Sequence, residues 1–210
     1  MRSASLRASR VLDIVAALWD IPSMAARLGV SFLCVLLAVT SCRKPGPTGP
    51  VHFAREEIAM DVRPGVLEVR GMYHFTCSAR EPLVASMFYP FPLDSTHLYP
   101  DSIDIRQHGF QKQDSGVSFR MRFRPNAEDS FFAYYRQPLR VNSATYIVTT
   151  TRKWRRPIDV ARFRVTVPAS FKDVKLTFKA DSVVKSDSVV AYYFTRRRFF
   201  PDKDVTVTWR

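Results

Sequence analysis

The chain has 210 residues, 46% of them hydrophobic, and carries 32 Lys and Arg against 19 Asp and Glu for a net charge of +13. This length and apolar fraction exclude a disordered chain and fit one domain with a real core plus appended segments, while the basic excess favours polyanions as partners. With seven glycines there is no Gly-rich phosphate loop, and four histidines on separate segments lack metal-ligand spacing, so neither a cofactor nor a metal site is expected.

The N-terminal region reads as a leader. Val11, Leu12, Ile14, Val15 and Leu18 form a short amphipathic pattern interrupted by Asp13 and flanked by Asp20, which fits a signal peptide poorly. A start at Met24 gives a compact leader instead, with Arg27 as its positive charge and Leu28 to Val39 as its apolar core. The 15 uncharged residues between Arg27 and Arg43 reach about 22 Å as a helix, short of the ~30 Å core of a bilayer, which favours cleavage over a permanent span.

That run ends Val39-Thr40-Ser41-Cys42. The aliphatic-small-small-Cys ending resembles the lipobox of bacterial membrane lipoproteins. The resemblance implies that Cys42 is acylated and becomes the first mature residue, placing the protein on the periplasm-facing side of a bacterial cell envelope. Arg43 rather than Asp after the cysteine implies the outer membrane over the inner. Several acyl chains at ~0.8 kcal/mol per buried CH₂ hold a protein firmly on a bilayer. Loss of the leader removes Arg2, Arg7, Arg10 and Arg27 against Asp13 and Asp20, so the basic excess persists. It also removes Cys34, leaving Cys77 without a disulfide partner.

The expected organisation is a leader over 1–41, a lipidated cysteine and Pro/Gly tether over 42–50, and a β domain over 51–210. Lys44-Pro-Gly-Pro-Thr-Gly-Pro50 has tether composition. Beyond it, short alternating runs are separated by turn residues. Glu57 to Arg63 sets Ile58, Met60 and Val62 against Glu57, Ala59 and Asp61. It stops at Pro64-Gly65, a type II turn signal whose twist suits a tight hairpin poorly, so the flanking strands are expected in different sheets. Val66 to Cys77 alternates for its whole length, with Leu67, Val69, Gly71, Tyr73, Phe75 and Cys77 on the core face. Leu83 to Phe91 is continuously apolar and reads as a buried strand.

Ser102 to Gln107, Val117 to Arg124, Phe131 to Gln137 and Ala144 to Thr151 follow. In the second of these Phe119, Met121 and Phe123 oppose Arg120, Arg122 and Arg124. Asp159 to Val167, Val174 to Ala180, Val189 to Thr195 and Val205 to Trp209 complete about ten strands, the number and spacing of an all-β sandwich. Clean alternation gives each sheet one wet face and predicts an antiparallel two-sheet β-sandwich of immunoglobulin-like type.

Candidate chemistry is sparse. His97 sits among Asp94, Ser95, Asp101, Ser102 and Asp104, but the order fits neither a calcium loop nor a Gly-x-Ser-x-Gly elbow. The carboxylate pairs Glu56-Glu57, at a strand entrance, and Glu128-Asp129, in a turn, read as exposed charges, and adjacent acids on a strand point to opposite faces and cannot easily share a substrate atom. Two clusters mix cations with aromatic residues at strand ends: Arg152-Lys153-Trp154-Arg155-Arg156 and Arg196-Arg197-Arg198-Phe199-Phe200. Such mixtures suit lipid headgroups or other polyanions, and in the absence of any nucleic-acid-binding motif a nucleic-acid partner is not expected. The stretch Tyr146 to Trp154, with Pro157-Ile158 and Ala161 to Val165, resembles one found in all-β bacterial envelope proteins and implies fold and location only. Together these readings predict a lipid-anchored envelope protein acting in binding or assembly, without catalytic residues. The alternatives are an envelope hydrolase built on loop 94–104 and a binder of polyanions or anionic membrane through the basic clusters.

Overall fold

The computed structural model describes residues 49–210; the leader, Cys42 and most of the tether lie outside the described residues. Thirteen strands follow one another: β1 (Val51–Arg63), β2 (Val66–Cys77), β3 (Leu83–Pro90), β4 (Ser102–Ile105), β5 (Phe110–Gln113), β6 (Gly116–Phe123), β7 (Glu128–Pro138), β8 (Ser143–Tyr146), β9 (Ile158–Pro168), β10 (Lys175–Leu176), β11 (Ser182–Lys185), β12 (Val189–Phe199) and β13 (Val205–Thr208). A 3-10 turn, Thr149–Trp154, precedes β9.

The fold is all-β, as the alternation predicts, but the strands make three sheets. A seven-stranded sheet has the order β11-β12-β9-β1-β2-β7-β4, and two three-stranded sheets have the orders β3-β6-β5 and β10-β13-β8. The small sheets cover one face of the large one, giving a sandwich-like arrangement whose second layer is divided. Phe75 on β2 meets Phe123 on β6 at 5.8 Å between ring centroids, and Phe119 on β6 meets Phe131 on β7 at 5.0 Å. Under the other half, Phe178 packs on Phe194 and Phe199 of β12. One continuous cluster of buried side chains draws on all three sheets. Every described strand pairs with strands of 51–210, and one buried cluster unites them, so residues 49–210 hold all the contacts of the described fold.

Four expectations require correction. The strands flanking Pro64-Gly65 are hairpin neighbours in one sheet, paired from Arg63↔Val66 to Val51↔Cys77. Gly65 supplies the positive φ of 72° that the turn requires. A long ladder of cross-strand pairs, each worth ~0.2–1 kcal/mol, outweighs the misfit of one turn. Second, β1 and β9 pair in parallel, not antiparallel, from Arg55↔Val160 to Asp61↔Thr166. The long intervening chain supplies the crossover that a parallel pair needs.

Third, β3 alternates: Ala85, Met87 and Tyr89 are buried while Val84 is 40% exposed, because β3 edges a small sheet with one wet face. Fourth, the strand expected over Ala144 to Thr151 stops at Tyr146. Asp204 accepts hydrogen bonds from the backbone N–H groups of Val148 and Thr149, and the Thr151 hydroxyl donates to the Val148 carbonyl. These local bonds offer the backbone an alternative to the ladder and turn it into the 3-10 segment.

Candidate functional site

The antiparallel pairing of β9 with β12 brings the two basic clusters to one end of the domain. β9 begins at Ile158, directly after the first cluster, and its partner there is Phe199, at the end of the second. The Arg152 guanidinium lies over the Phe200 ring at 5.0 Å, joining the clusters in a cation–π contact. Arg155 and Arg198 both adopt left-handed backbone, with φ of 55° and 49°, and Arg155 closes the 3-10 segment at this end. Arg152, Lys153, Arg155, Arg197 and Arg198 are exposed, and Phe200 is 44% exposed.

Three members of the clusters are spent on structure: Arg196, Trp154 and Phe199, the last buried against Phe163 and Phe178. Arg196 donates to the Asp181 carboxylate at 3.0 Å and to the Lys179 carbonyl, pinning β12 to the segment after β10. The Thr195 N–H also donates to Asp181, and these bonds, the backbone one first, hold its carboxyl below the usual range. Trp154 turns inward, its ring 5.4 Å from Phe75 and 6.2 Å from Phe53. The other six cations (Arg152, Lys153, Arg155, Arg156, Arg197 and Arg198) form no ion pair among the described residues.

The chain enters the domain at this same end. β1 starts at Val51, the Pro50 carbonyl accepts from the Ser78 N–H, and His52 Nε2 lies 3.0 Å from the Asp159 carboxylate at the start of β9. The Pro64-Gly65 hairpin lies at the opposite end of β1.

Loop 94–104 takes a different form from a hydrolytic site. Asp94 Oδ1 accepts from the Thr96 hydroxyl and from the Thr96 and His97 N–H groups at 2.6–2.7 Å, and it lies 3.1 Å from His97 Nδ1. These bonds, the Thr96 hydroxyl first, hold the Asp94 carboxyl well below the ordinary carboxylate range. A hydrolytic dyad would present a nucleophile at the far nitrogen. Here that nitrogen, Nε2, is buried without a hydrogen-bond partner, and Asp101 pairs instead with Arg136 at 3.6 Å. The arrangement is a capped turn. Among the described residues no three His, Cys, Asp or Glu side chains converge as metal ligands.

A polar cluster missing from the sequence reading lies where the three sheets meet. Tyr73 on β2 hydrogen-bonds through its hydroxyl to Tyr89 on β3 and to Tyr146 on β8, at 2.8 Å each. Glu56 on β1 pairs in register with Tyr73, and this corrects the reading of Glu56-Glu57 as two exposed charges: Glu56 is 1% exposed and Oε1 has no partner. Desolvation alone pushes its pKa up to about 8, so the acid is neutral below that pH. Burial likewise raises the hydroxyls of Tyr73, Tyr89, Tyr135 and Tyr146 above their ordinary range. Glu57 faces out and bonds Arg162 at 2.8 Å. Of the second pair, Asp129 is largely shielded and accepts from Arg124 at 2.7 Å, also contrary to expectation.

The outer face of the large sheet carries a shallow concavity of about 400 Å³ floored by Ala59 and rimmed by Arg70, Arg162, Arg164 and Tyr193. Its arginines are already engaged: Arg70 and Arg164 with Asp61, Arg162 with Glu57.

The molecule is therefore an all-β module with a basic end, a capped loop and a buried acid at its three-sheet junction. No family model matches the chain, and no curated protein sequence does. Among solved structures it is similar to a candidate nutrient binding protein from Legionella pneumophila, with TM-score 0.53 and 14% identity over 77% of this chain and 67% of that one. An M1 zinc metallopeptidase from Deinococcus radiodurans matches with TM-score 0.48 and 14% identity over 76% of this chain, which spans 42% of the peptidase. A candidate protease from Parabacteroides distasonis gives TM-score 0.41 at 10% identity, with 40% of its length covered. The first of these likenesses supports the fold, and the fold alone.

Proposed function

We propose that the protein is a lipid-anchored, periplasm-facing component of a bacterial cell envelope, more specifically of its outer membrane. Its role is non-enzymatic binding, and its basic end takes polyanions. The observation that carries this reading is the contact of Arg152 with Phe200, which merges two clusters separated in sequence into one surface. Six cations without carboxylate partners among the described residues have no ion pair to break when they meet an anion, and they attract it from a Debye length of ~8–10 Å. The name of the Legionella relative, a binding protein, accords with a binding role. In the finer expectation of an immunoglobulin-like sandwich, the divided second layer stands in for the second sheet.

Residues 49–210 are expected to bind immobilised heparin and to elute earlier as salt rises, since each neutralised anionic group releases a counterion. Arg155→Ala with Arg197→Ala should move elution to clearly lower salt. Retention that ignores salt, or that survives the double substitution unchanged, contradicts the reading.

A further inference from the structure

We infer that the end carrying the joined basic clusters lies against anionic lipid headgroups of the membrane that holds the anchor, with Phe200 seated at headgroup depth. This rests on the proposed anchor and polyanion surface and adds the partner and the orientation.

Cys42 is nine residues from Val51, and a chain gains at most ~3.3–3.6 Å per residue, so the entry end of the domain stays within about 30 Å of the acylated cysteine. β1 has 13 residues and runs away from that end; at ~3.3 Å each it carries the Pro64-Gly65 hairpin about 40 Å further off. The anchored domain therefore presents its entry end to the bilayer at high effective concentration.

That end carries Arg152, Lys153, Arg155, Arg197 and Arg198 exposed, beside the half-exposed ring of Phe200. Cations ringing an aromatic side chain match the bilayer interface, where rings settle at headgroup level and arginines engage phosphate. An anionic polysaccharide would match the same charges, but the bilayer is the surface that the proposed anchor keeps within reach of this end. Of the acidic groups at this end, Asp159 is engaged with His52 and Asp204 with the backbone of Val148 and Thr149, whereas Asp202, two residues after Phe200, is exposed and offsets one of the six cations.

The test is co-sedimentation of residues 49–210 with phosphatidylcholine vesicles, with and without phosphatidylglycerol, alongside heparin retention. Binding is expected only with the anionic lipid. Arg155→Glu, Arg197→Glu and Arg198→Glu together should lower partition about a hundredfold, as expected for charges held close to an anionic surface. The triple Lys variant at the same positions should keep it, which separates charge from misfolding. Phe200→Ala should lose a few-fold at any salt concentration. Arg140→Glu with Lys172→Glu, at the hairpin end, should change nothing. Heparin retention without vesicle binding overturns the membrane inference and leaves the polyanion reading standing. Failure of both overturns both, and equal losses from the two ends overturn the orientation.

Discussion

Replacing Glu56 by Gln is expected to remove the main pH dependence of stability between about pH 4.5 and 8, and to make the domain markedly more stable at the alkaline end of that range. In the unfolded chain this acid titrates near its model value of 4.5; in the fold burial raises it to about 8. Between these values the folded state holds a proton that the unfolded state has released. The contribution is therefore fully present below pH 4.5 and declines as pH rises through 8. At 1.36 kcal/mol per unit the decline sums to about 5 kcal/mol, a large part of the stability of an ordinary domain. Gln matches the neutral acid in shape and cannot ionise. Urea unfolding of residues 49–210 at pH 5 and pH 8.5 measures this. A wild-type midpoint that does not fall with pH, or the same fall in both proteins, refutes it.

Gly71→Ala is expected to destabilise the domain by about 3 kcal/mol, although alanine adds a single methyl group and suits a strand no worse than glycine. Gly71 lies on the core face of β2, and the ring of Tyr73 folds back over it so closely that a Cβ would overlap the Tyr73 ring and hydroxyl. Restoring space means turning Tyr73 out of its position. The bonds from its hydroxyl to Tyr89 and Tyr146 are then lost, leaving buried hydroxyls at ~1–3 kcal/mol each. For a domain of this size, at ~2–4 °C per kcal/mol, the melting temperature should fall by about 10 °C. Tyr73→Phe keeps the ring and loses only the bonds, so Gly71→Ala added to it should cost less than it does alone. Wild-type melting of the Gly71→Ala variant would show that the tyrosine hydroxyls do not lock the sheets together.

Much of this fold is legible where one face of a strand is wet. The ends of β2 agree with its alternating run, and in β9 Ala161, Phe163, Val165 and Val167 are all buried as the pattern predicts. The short strands β5 and β11 escape because each is four residues long and mostly exposed, so neither shows an in/out alternation: β5 is polar after Phe110, and β11 sets two exposed valines side by side. Glu56 had a signal: it shares the parity of Ile58, Met60 and Val62. A carboxylate is rarely fully buried, however, and the irregular pairing between Phe53 and Arg55 ends the alternation just before it. The tyrosine junction is not legible, since it joins residues 16 and 73 positions apart through strands of three different sheets. Both basic clusters stand out as charge runs, yet their union depends on which strands are neighbours. Sequence alone likewise could not tell that Trp154 and Arg196 face structural partners while Arg155 and Arg197 face solvent.

The proposed anchor at Cys42 would turn the basic end from a generic charged surface into one held beside a membrane. Metabolic labelling with palmitate of the full chain, expressed in a bacterium with the lipoprotein pathway, tests this directly. A labelled band in the membrane fraction that disappears on Cys42→Ser is expected. An unlabelled chain, or label that persists in the Cys42→Ser variant, contradicts it.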